Sequence, residues 1–323
     1  MSETILLILV LALVIDRFVG DPDWLWARVP HPVVFFGKAI GLLDARLNRE
    51  DLGDGARKVR GTVTILLLLG LSVCLGLLLH RLLAALGPVG FLLEALLVAV
   101  FLAQKSLADH VRRVAEGLAQ GGLEGGRRTV SMIVGRDPKT LDEPAVCRAA
   151  IESLAENFSD GAVAPVFWYA IAGLPGLLAY KMLNTADSMI GHKSPKYLYF
   201  GWASARLDDL ANWPAARLSI FLIAAGALVY RGARAAKDAL TVALSDHGLH
   251  RSPNSGWPEA AMAGALDLQL AGPRIYGGVK VSEPMINGAG RAVATAEDIR
   301  AGIAVFDGAC TAMTLAVLAI AMI

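Results

Sequence analysis

The sequence predicts an all-α, polytopic membrane protein with re-entrant or broken helices and structured polar loops. Three observations predict it. Of 323 residues, 55% are hydrophobic, above the roughly 45–50% typical of a soluble domain. The surplus sits in blocks such as residues 62–79 and 302–323, with charge-rich segments between them. No stretch sustains the period-two alternation of a half-buried strand, whereas residues 104–123 and 144–156 carry helical spacing.

Spanning a bilayer takes about 20 apolar residues over ~30 Å of hydrocarbon. Spans are predicted near residues 3–19, 61–86, 88–103 and 302–323, in one multipass domain covering residues 1–323. Gly87-Pro88 breaks the second from the third, so the pair reads as a helical hairpin. Residues 162–180 and 215–230 are shorter. The first is interrupted by Pro165 and by Gly173-Leu-Pro175-Gly176, so it either crosses or is re-entrant. The N-terminal run lacks a basic n-region and a small-residue cleavage pattern, and is read as a retained membrane segment. Lys and Arg are plentiful in residues 21–60 and 104–150 and nearly absent from the Gly87 turn, which places the polar loops in the cytoplasm. Residues 231–243, with Arg231, Arg234 and Lys237 on one face, read as an amphipathic helix near the membrane surface. Residues 250–297 are rich in Gly and Pro and read as a structured loop region.

A formal net charge of +1 provides no basic field for nucleic acid. The three cysteines, Cys74, Cys147 and Cys310, are odd in number and widely spaced, which supports buried free thiols rather than a disulfide framework or zinc site. No Walker loop, dinucleotide glycine fingerprint, His-Glu-x-x-His or nucleophile elbow is present.

Four polar segments carry candidate chemistry. Glu152, Glu156 and Asp160, spaced i, i+4, i+8 with Asn157 beside them, form an acidic stripe running into an apolar stretch. The second segment contains Tyr180, Lys181, Asn184, Asp187, His192 and Lys193, and Asn184-x-x-Asp187 repeats the spacing of Asn157-x-x-Asp160. Two such pairs at the ends of one membrane excursion suit a shared Mg²⁺, a hard cation that prefers oxygen ligands and keeps positions for phosphate; helix capping by Asn and Asp is the alternative. The third has Arg206, Asp208, Asp209 and Asn212, suited to phosphate or carboxylate binding or to a helix-pinning ion pair. The fourth has Ser252, Asn254 and Glu259 around Pro258, which marks a helix start offering N–H groups to an anion. A smaller knot joins Asp16-Arg17, Asp21-Pro22 and Pro30-His-Pro32.

These segments together resemble the CobD/CbiB family of cobalamin-biosynthesis proteins, the adenosylcobinamide-phosphate synthases. The resemblance rests on Asp16-Arg-Phe-Val-Gly-Asp-Pro22, Pro30-His-Pro32, Val134-Gly-Arg-Asp137, Leu141-Asp-Glu-Pro144, Glu152-Ser-Leu-Ala-Glu-Asn157, Ser159-Asp-Gly161, Asn184-Thr-Ala-Asp-Ser-Met-Ile-Gly-His-Lys193, Ala205-Arg-Leu-Asp-Asp209 and residues 252–263. It implies a multipass enzyme of the inner cell membrane, a C–N ligase that joins adenosylcobyric acid to (R)-1-amino-2-propanol O-phosphate, or to aminopropanol, with ATP as co-substrate and Mg²⁺ as cofactor. On that reading Glu156, Asp160 and Asp187 carry Mg²⁺, and Asp187, His192 and Asp208 are the catalytic candidates. Asn157, Lys181, Asn184, Lys193, Arg206, Asp209, Ser252, Asn254 and Glu259 are the substrate- and phosphate-binding candidates. Expected partners are the corrinoid, the amino alcohol, ATP, membrane lipid, and either a second copy of the chain or later enzymes of cobalamin assembly. Two other classes compete: an AmpE-like membrane sensor, and a Mg²⁺-dependent transferase acting on a lipid-linked diphosphate.

Overall fold

The computed structural model describes residues 3–134, 137–276, 279–281 and 283–323. Gly135 and Arg136, part of one motif quoted above, lie outside them. As predicted, the described residues are mostly helical. In order it forms α1 (Glu3–Phe18), the single turn α2 (Asp23–Trp26), α3 (Pro32–Leu47), α4 (Asp54–Ala84), α5 (Pro88–Val100), α6 (Gln104–Val130), α7 (Glu143–Asn157), α8 (Ala164–Ile190), α9 (Trp202–Arg231), α10 (Ala233–Asp246), α11 (Gly256–Leu266) and α12 (Ala296–Ala321). Two short antiparallel pairs interrupt the last third: β1 (Leu270–Ala271) with β4 (Met285–Ile286), and β2 (Arg274–Tyr276) with β3 (Val279–Val281). Among the described residues five helical stretches are long and apolar enough to cross a membrane: Asp54–Ala84, Pro88–Val130, Glu143–Ile190, Trp202–Arg231 and Ala296–Ala321. α4 shows why. It exposes Leu66, Leu67, Leu71, Leu78 and Leu82, a face that only hydrocarbon suits. Cys74 is exposed on the same helix, unlike the buried Cys147 and Cys310.

The chain divides into two compact units. The first comprises Met1–Leu102, Ala164–Asn212 and Ile320–Ile323, and the second Ala103–Val163 and Trp213–Ala319. In the first, α4 and α5 form the expected hairpin, turning at Gly87 with φ 59° and ψ −133°. The residues 162–180 excursion turns the same way, at Gly173 with φ 61° and ψ −154°. A Cβ on Gly176 would lie 2.5 Å from the carbonyl oxygen of Trp168. Eight residues of straight helix span ~12 Å, so the chain doubles back at Gly173. In the second unit α6 reverses at Gly122, with φ 56° and ψ −149°, and the backbone of Gly117 meets that of Gly125. Only glycine reaches these dihedrals without strain.

α1 covers the segment expected near residues 3–19, ending at Phe18 after 16 residues, ~24 Å of helix. Two elements differ from expectation. The Glu152–Asp160 stripe is not one helix face, because α7 stops at Asn157 and Phe158–Val163 form a π-helical turn that rotates Asp160 off the line. The amphipathic helix begins at Ala233, and its Ala239 and Ala243 are buried, with the Asp238 backbone close against Gly264 of α11.

At each reversal a second glycine lies three residues on: Gly90, Gly125 and Gly176. A Cβ on Gly90 would lie 1.7 Å from the Leu83 carbonyl oxygen, whereas one on Gly70, in the same hairpin, meets nothing within 4 Å. Gly90→Ala is expected to lower stability by about 3 kcal/mol, while Gly70→Ala leaves it unchanged or slightly raised. Thermal unfolding of the two variants in one detergent checks this, and equal midpoints would overturn the close-approach account.

Candidate active site

In the first unit the polar residues gather where α3 ends, α4 begins and α8 re-emerges. Arg57 donates to Asn48 Oδ1 at 3.0 Å and to the Lys196 carbonyl, and Lys196 Nζ donates to Asp44 Oδ2 at 3.0 Å, tying α3 and α4 to the loop after α8. The Tyr197 hydroxyl and Asp44 beside Lys196 raise its pKa above the usual lysine range. Glycines close the same loop. Cβ atoms would sit 1.6 Å from the Ile190 carbonyl oxygen at Gly201 and 1.9 Å from Asp187 Oδ1 at Gly191. Gly191 thereby leaves room for the Asp187 carboxylate.

Three carboxylates share this end. Asp187 on α8 and Asp208 and Asp209 on α9 lie within electrostatic reach of one another, His192 reaches Asp187, and Lys193 reaches Asp209. Asp208, 8% exposed, is held on both oxygens: Asn212 Nδ2 donates to Oδ2 at 2.9 Å and Asn184 Nδ2 approaches Oδ1 at 3.4 Å. The Tyr180 hydroxyl fixes Asn212 from behind, donating to its Oδ1 at 2.7 Å. Arg206 pairs with Asp209 at 3.7 Å in a largely exposed contact. Of the sequence candidates, Lys181, Asn184, Asp187, His192, Lys193, Arg206, Asp208 and Asp209 therefore fall in one unit.

His31 joins the same unit. It caps α3, its Nδ1 accepting from Val33 N–H at 3.2 Å, while Nε2 donates to the Val100 carbonyl at 3.2 Å and lies 3.8 Å from Asp21. An Nδ1 that accepts belongs to a neutral imidazole. Burial lowers the His31 pKa below 6.5 despite Asp21, and Lys181 adds to the lowering.

The remaining candidates lie in the second unit. Glu156 Oε1 accepts from Ser255 Oγ at 2.9 Å, and Glu152 accepts the Ala271 amide at 2.8 Å, where that residue takes a positive φ of 62°. Asn157 turns back on α7, donating to the Ser153 carbonyl at 2.9 Å. Ser252 Oγ accepts the Asn254 and Ser255 amides at 3.3 and 3.2 Å, and Glu259 lies 3.6 Å from His250, both buried. α11 begins at Gly256 rather than Pro258, so the proline stands third in its first turn. The Asn157/Asp160 pair thus belongs to one unit and Asn184/Asp187 to the other, and the carboxylates next to Asp187 within its unit are those of Asp208 and Asp209. Among the described residues no three His, Cys, Asp or Glu side chains form a metal cage by themselves.

Sequence reasoning missed Arg217. Its guanidinium lies 4.5 Å from the Trp213 ring and 4.8 Å from that of Trp257, and Nη1 donates to Asn254 Oδ1 at 2.9 Å. The available signal was a lone arginine in the apolar 215–230 stretch, four residues after a tryptophan.

Residues 9–306 match the model of the CobD/Cbib protein family. The chain belongs to the CobD/CbiB family. Among its relatives is a protein named cobalamin biosynthesis protein CobD from a Sinorhizobium species, 87% identical over the whole of both chains. Another of that name, from Sinorhizobium fredii, is 75% identical over 98% of this chain and 97% of its own. One from Brucella suis is 49% identical over 99% and 98%. No solved structure matches the chain. Both polar clusters fall within the CobD/CbiB match.

Protonating His31 would break its cap on α3. Its unfolded form binds the proton more readily, so the stability it contributes is present above pH 6.5 and lost as pH falls through its lowered folded pKa. Asn caps a helix without titrating. The stability advantage of the native chain over His31→Asn is expected to shrink between pH 7 and 5 in denaturant titrations, and a pH-independent gap would refute this.

Proposed function

We propose that the chain acts in cobalamin biosynthesis as an ATP-dependent ligase, joining a propionate carboxylate of adenosylcobyric acid to the amine of (R)-1-amino-2-propanol O-phosphate, or of aminopropanol, to give adenosylcobinamide phosphate or cobinamide. The family and the names of its relatives support the pathway. The observation that carries the chemistry is the cluster of Asp187, Asp208 and Asp209 beside His192, Lys193 and Arg206 in the first unit.

Amide formation from a carboxylate needs an activated acyl group. In the proposed course a carboxylate oxygen attacks the γ-phosphorus of ATP, giving an acyl phosphate and ADP. The amine then attacks the acyl carbon, and phosphate leaves with the C–O bond pair. A substrate ammonium must first lose a proton, and the nitrogen loses a second after attack. Asp208, its two oxygens oriented by Asn184 and Asn212, is the base assigned to the first transfer, with His192 as the alternative. Lys181, Lys193 and Arg206 suit phosphate oxygens by charge.

Mg²⁺ fits the donor set, because it binds through one or two carboxylates and completes its shell with water and phosphate oxygens rather than a protein cage. Asp187, with Asp208 or Asp209, supplies those carboxylates. Glu156 and Asp160, the other proposed ligands, belong to the second unit. When bound, the ion neutralises charge on the transferring phosphate.

Purified full-length protein supplied with adenosylcobyric acid, aminopropanol phosphate, ATP and Mg²⁺ is expected to yield the condensed product by mass spectrometry, with omission of any one component abolishing it. Failure with folded protein would favour the sensor or lipid-transferase class. Asp208→Asn is expected to slow turnover about 100-fold or more with little change in KM. Asp187→Asn is expected to raise the Mg²⁺ requirement, and wild-type turnover and Mg²⁺ dependence in both variants would remove the assignment.

A further inference from the structure

A second polar cluster, its carboxylate and phenol buried and its imidazole partly exposed, lies in the first unit near the Gly87 and Gly173 reversals. His80 of α4, Glu94 of α5 and Tyr169 of α8 meet there. The Tyr169 hydroxyl donates to Glu94 Oε1 at 2.8 Å, and His80 Nδ1 lies 2.9 Å from Glu94 Oε2. Glu94 is 2% exposed and Tyr169 fully buried. An ionisable side chain in such a layer is costly and points to function. None of the three belongs to the polar end described above.

His80 and Glu94 also line a cavity of about 640 Å³, whose remaining walls include Thr4, Ile8, Ala84, Phe91 and Leu92. Leu92 and the nearby Leu86 and Val89 are exposed on the apolar surface, so the cavity borders the face that meets acyl chains. The hydrogen-bond inventory defines the occupant. With Glu94 ionised, the one O–H of Tyr169 and the Nδ1–H of His80 are both directed at it. The remaining carboxylate lone pairs and His80 Nε2 are acceptors. An apolar cavity offering acceptors around a negative charge complements a group that is cationic, rich in N–H donors and attached to hydrocarbon. Arg81, exposed in the last turn of α4, adds a cation one residue from His80.

We infer that this cavity binds the headgroup of a phosphatidylethanolamine-class lipid, its primary ammonium donating to Glu94 and His80, its phosphate facing Arg81 and its chains lying along the apolar wall. The charge pattern selects this lipid over its neighbours. Phosphatidylcholine carries the same charge with no N–H to donate, and phosphatidylglycerol has no cation for Glu94.

Native mass spectrometry of the full-length protein in detergent, offered equal amounts of the three lipids, tests the inference. The native chain is expected to retain phosphatidylethanolamine over phosphatidylcholine by about tenfold or more, the worth of a charge-assisted hydrogen bond. Glu94→Gln should bring that ratio close to one while still unfolding cooperatively. Leu92→Trp, which fills the cavity and leaves the triad in place, should reduce retention of all three. Equal retention of ethanolamine and choline lipids by the native chain would overturn the inference. So would an unchanged preference in either variant, or displacement of the lipid by soluble aminopropanol phosphate, which would make this a site for the free amine.

Discussion

Backbone approaches backbone closely at each of the Gly87, Gly122 and Gly173 reversals, and that constraint shapes the unit in which each lies. A helix end leaves several N–H and C=O groups to be satisfied, and hydrocarbon offers them no water. A tight reversal limits the exposed segment to a few residues, at the cost of forcing two helices together. Glycine at the turn accepts the positive φ, and glycine three residues later lets the returning helix meet the carbonyl of Leu83, Gly117 or Trp168. In α8 the consequence is positional. Because the chain returns after Gly173 instead of continuing, Lys181, Asn184 and Asp187 come back within the unit that holds His31, Asp208 and Asp209.

The hairpin at Gly87 was legible because a Gly-Pro pair between two long apolar runs has few other readings. The break at Gly173 was equally visible, but its direction was not, since parity and charge counts agree with either topology. Gly122 passed unnoticed in a polar, Gly-rich helix, where nothing in the pattern separates a reversal from a tolerated glycine. The acidic stripe failed for a different reason. Its spacing is helical only if the helix is α throughout, and one π turn at residues 158–163 changes the face. Within their unit Glu152 and Glu156 are engaged by the Ala271 amide and Ser255, partners more than 90 residues away that local spacing does not reveal. The same holds for His80, Glu94 and Tyr169. Glu94 and Tyr169 are isolated polar residues in apolar runs and His80 has only Arg81 beside it, so only the folded chain shows that the three meet.

The acidic groups differ in how they are paired. Glu152 and Glu156 each accept a donor from the protein itself, an amide and a serine hydroxyl, and so hold their own unit together. Asp298 has a fully charged partner, Arg291, at 2.6 Å, and also accepts the Thr295 amide and hydroxyl at 2.9 Å. Such a carboxylate has little left to offer a ligand.

Asp208 is arranged otherwise. Its hydrogen-bond donors are the neutral amides of Asn184 and Asn212, which fix direction without cancelling charge, and the Tyr180 hydroxyl fixes Asn212 in turn. The nearest arginine in sequence, Arg206, pairs with Asp209 on the more exposed side. Had Arg206 bound Asp208, the cluster would have been more stable and chemically inert, since a neutralised carboxylate neither attracts a cation nor takes a proton at neutral pH. Orientation by amides instead leaves the buried Asp208 carboxyl beside Asp187 with no cation among its hydrogen-bond donors, an environment that a bound cation or a protonated substrate amine would suit.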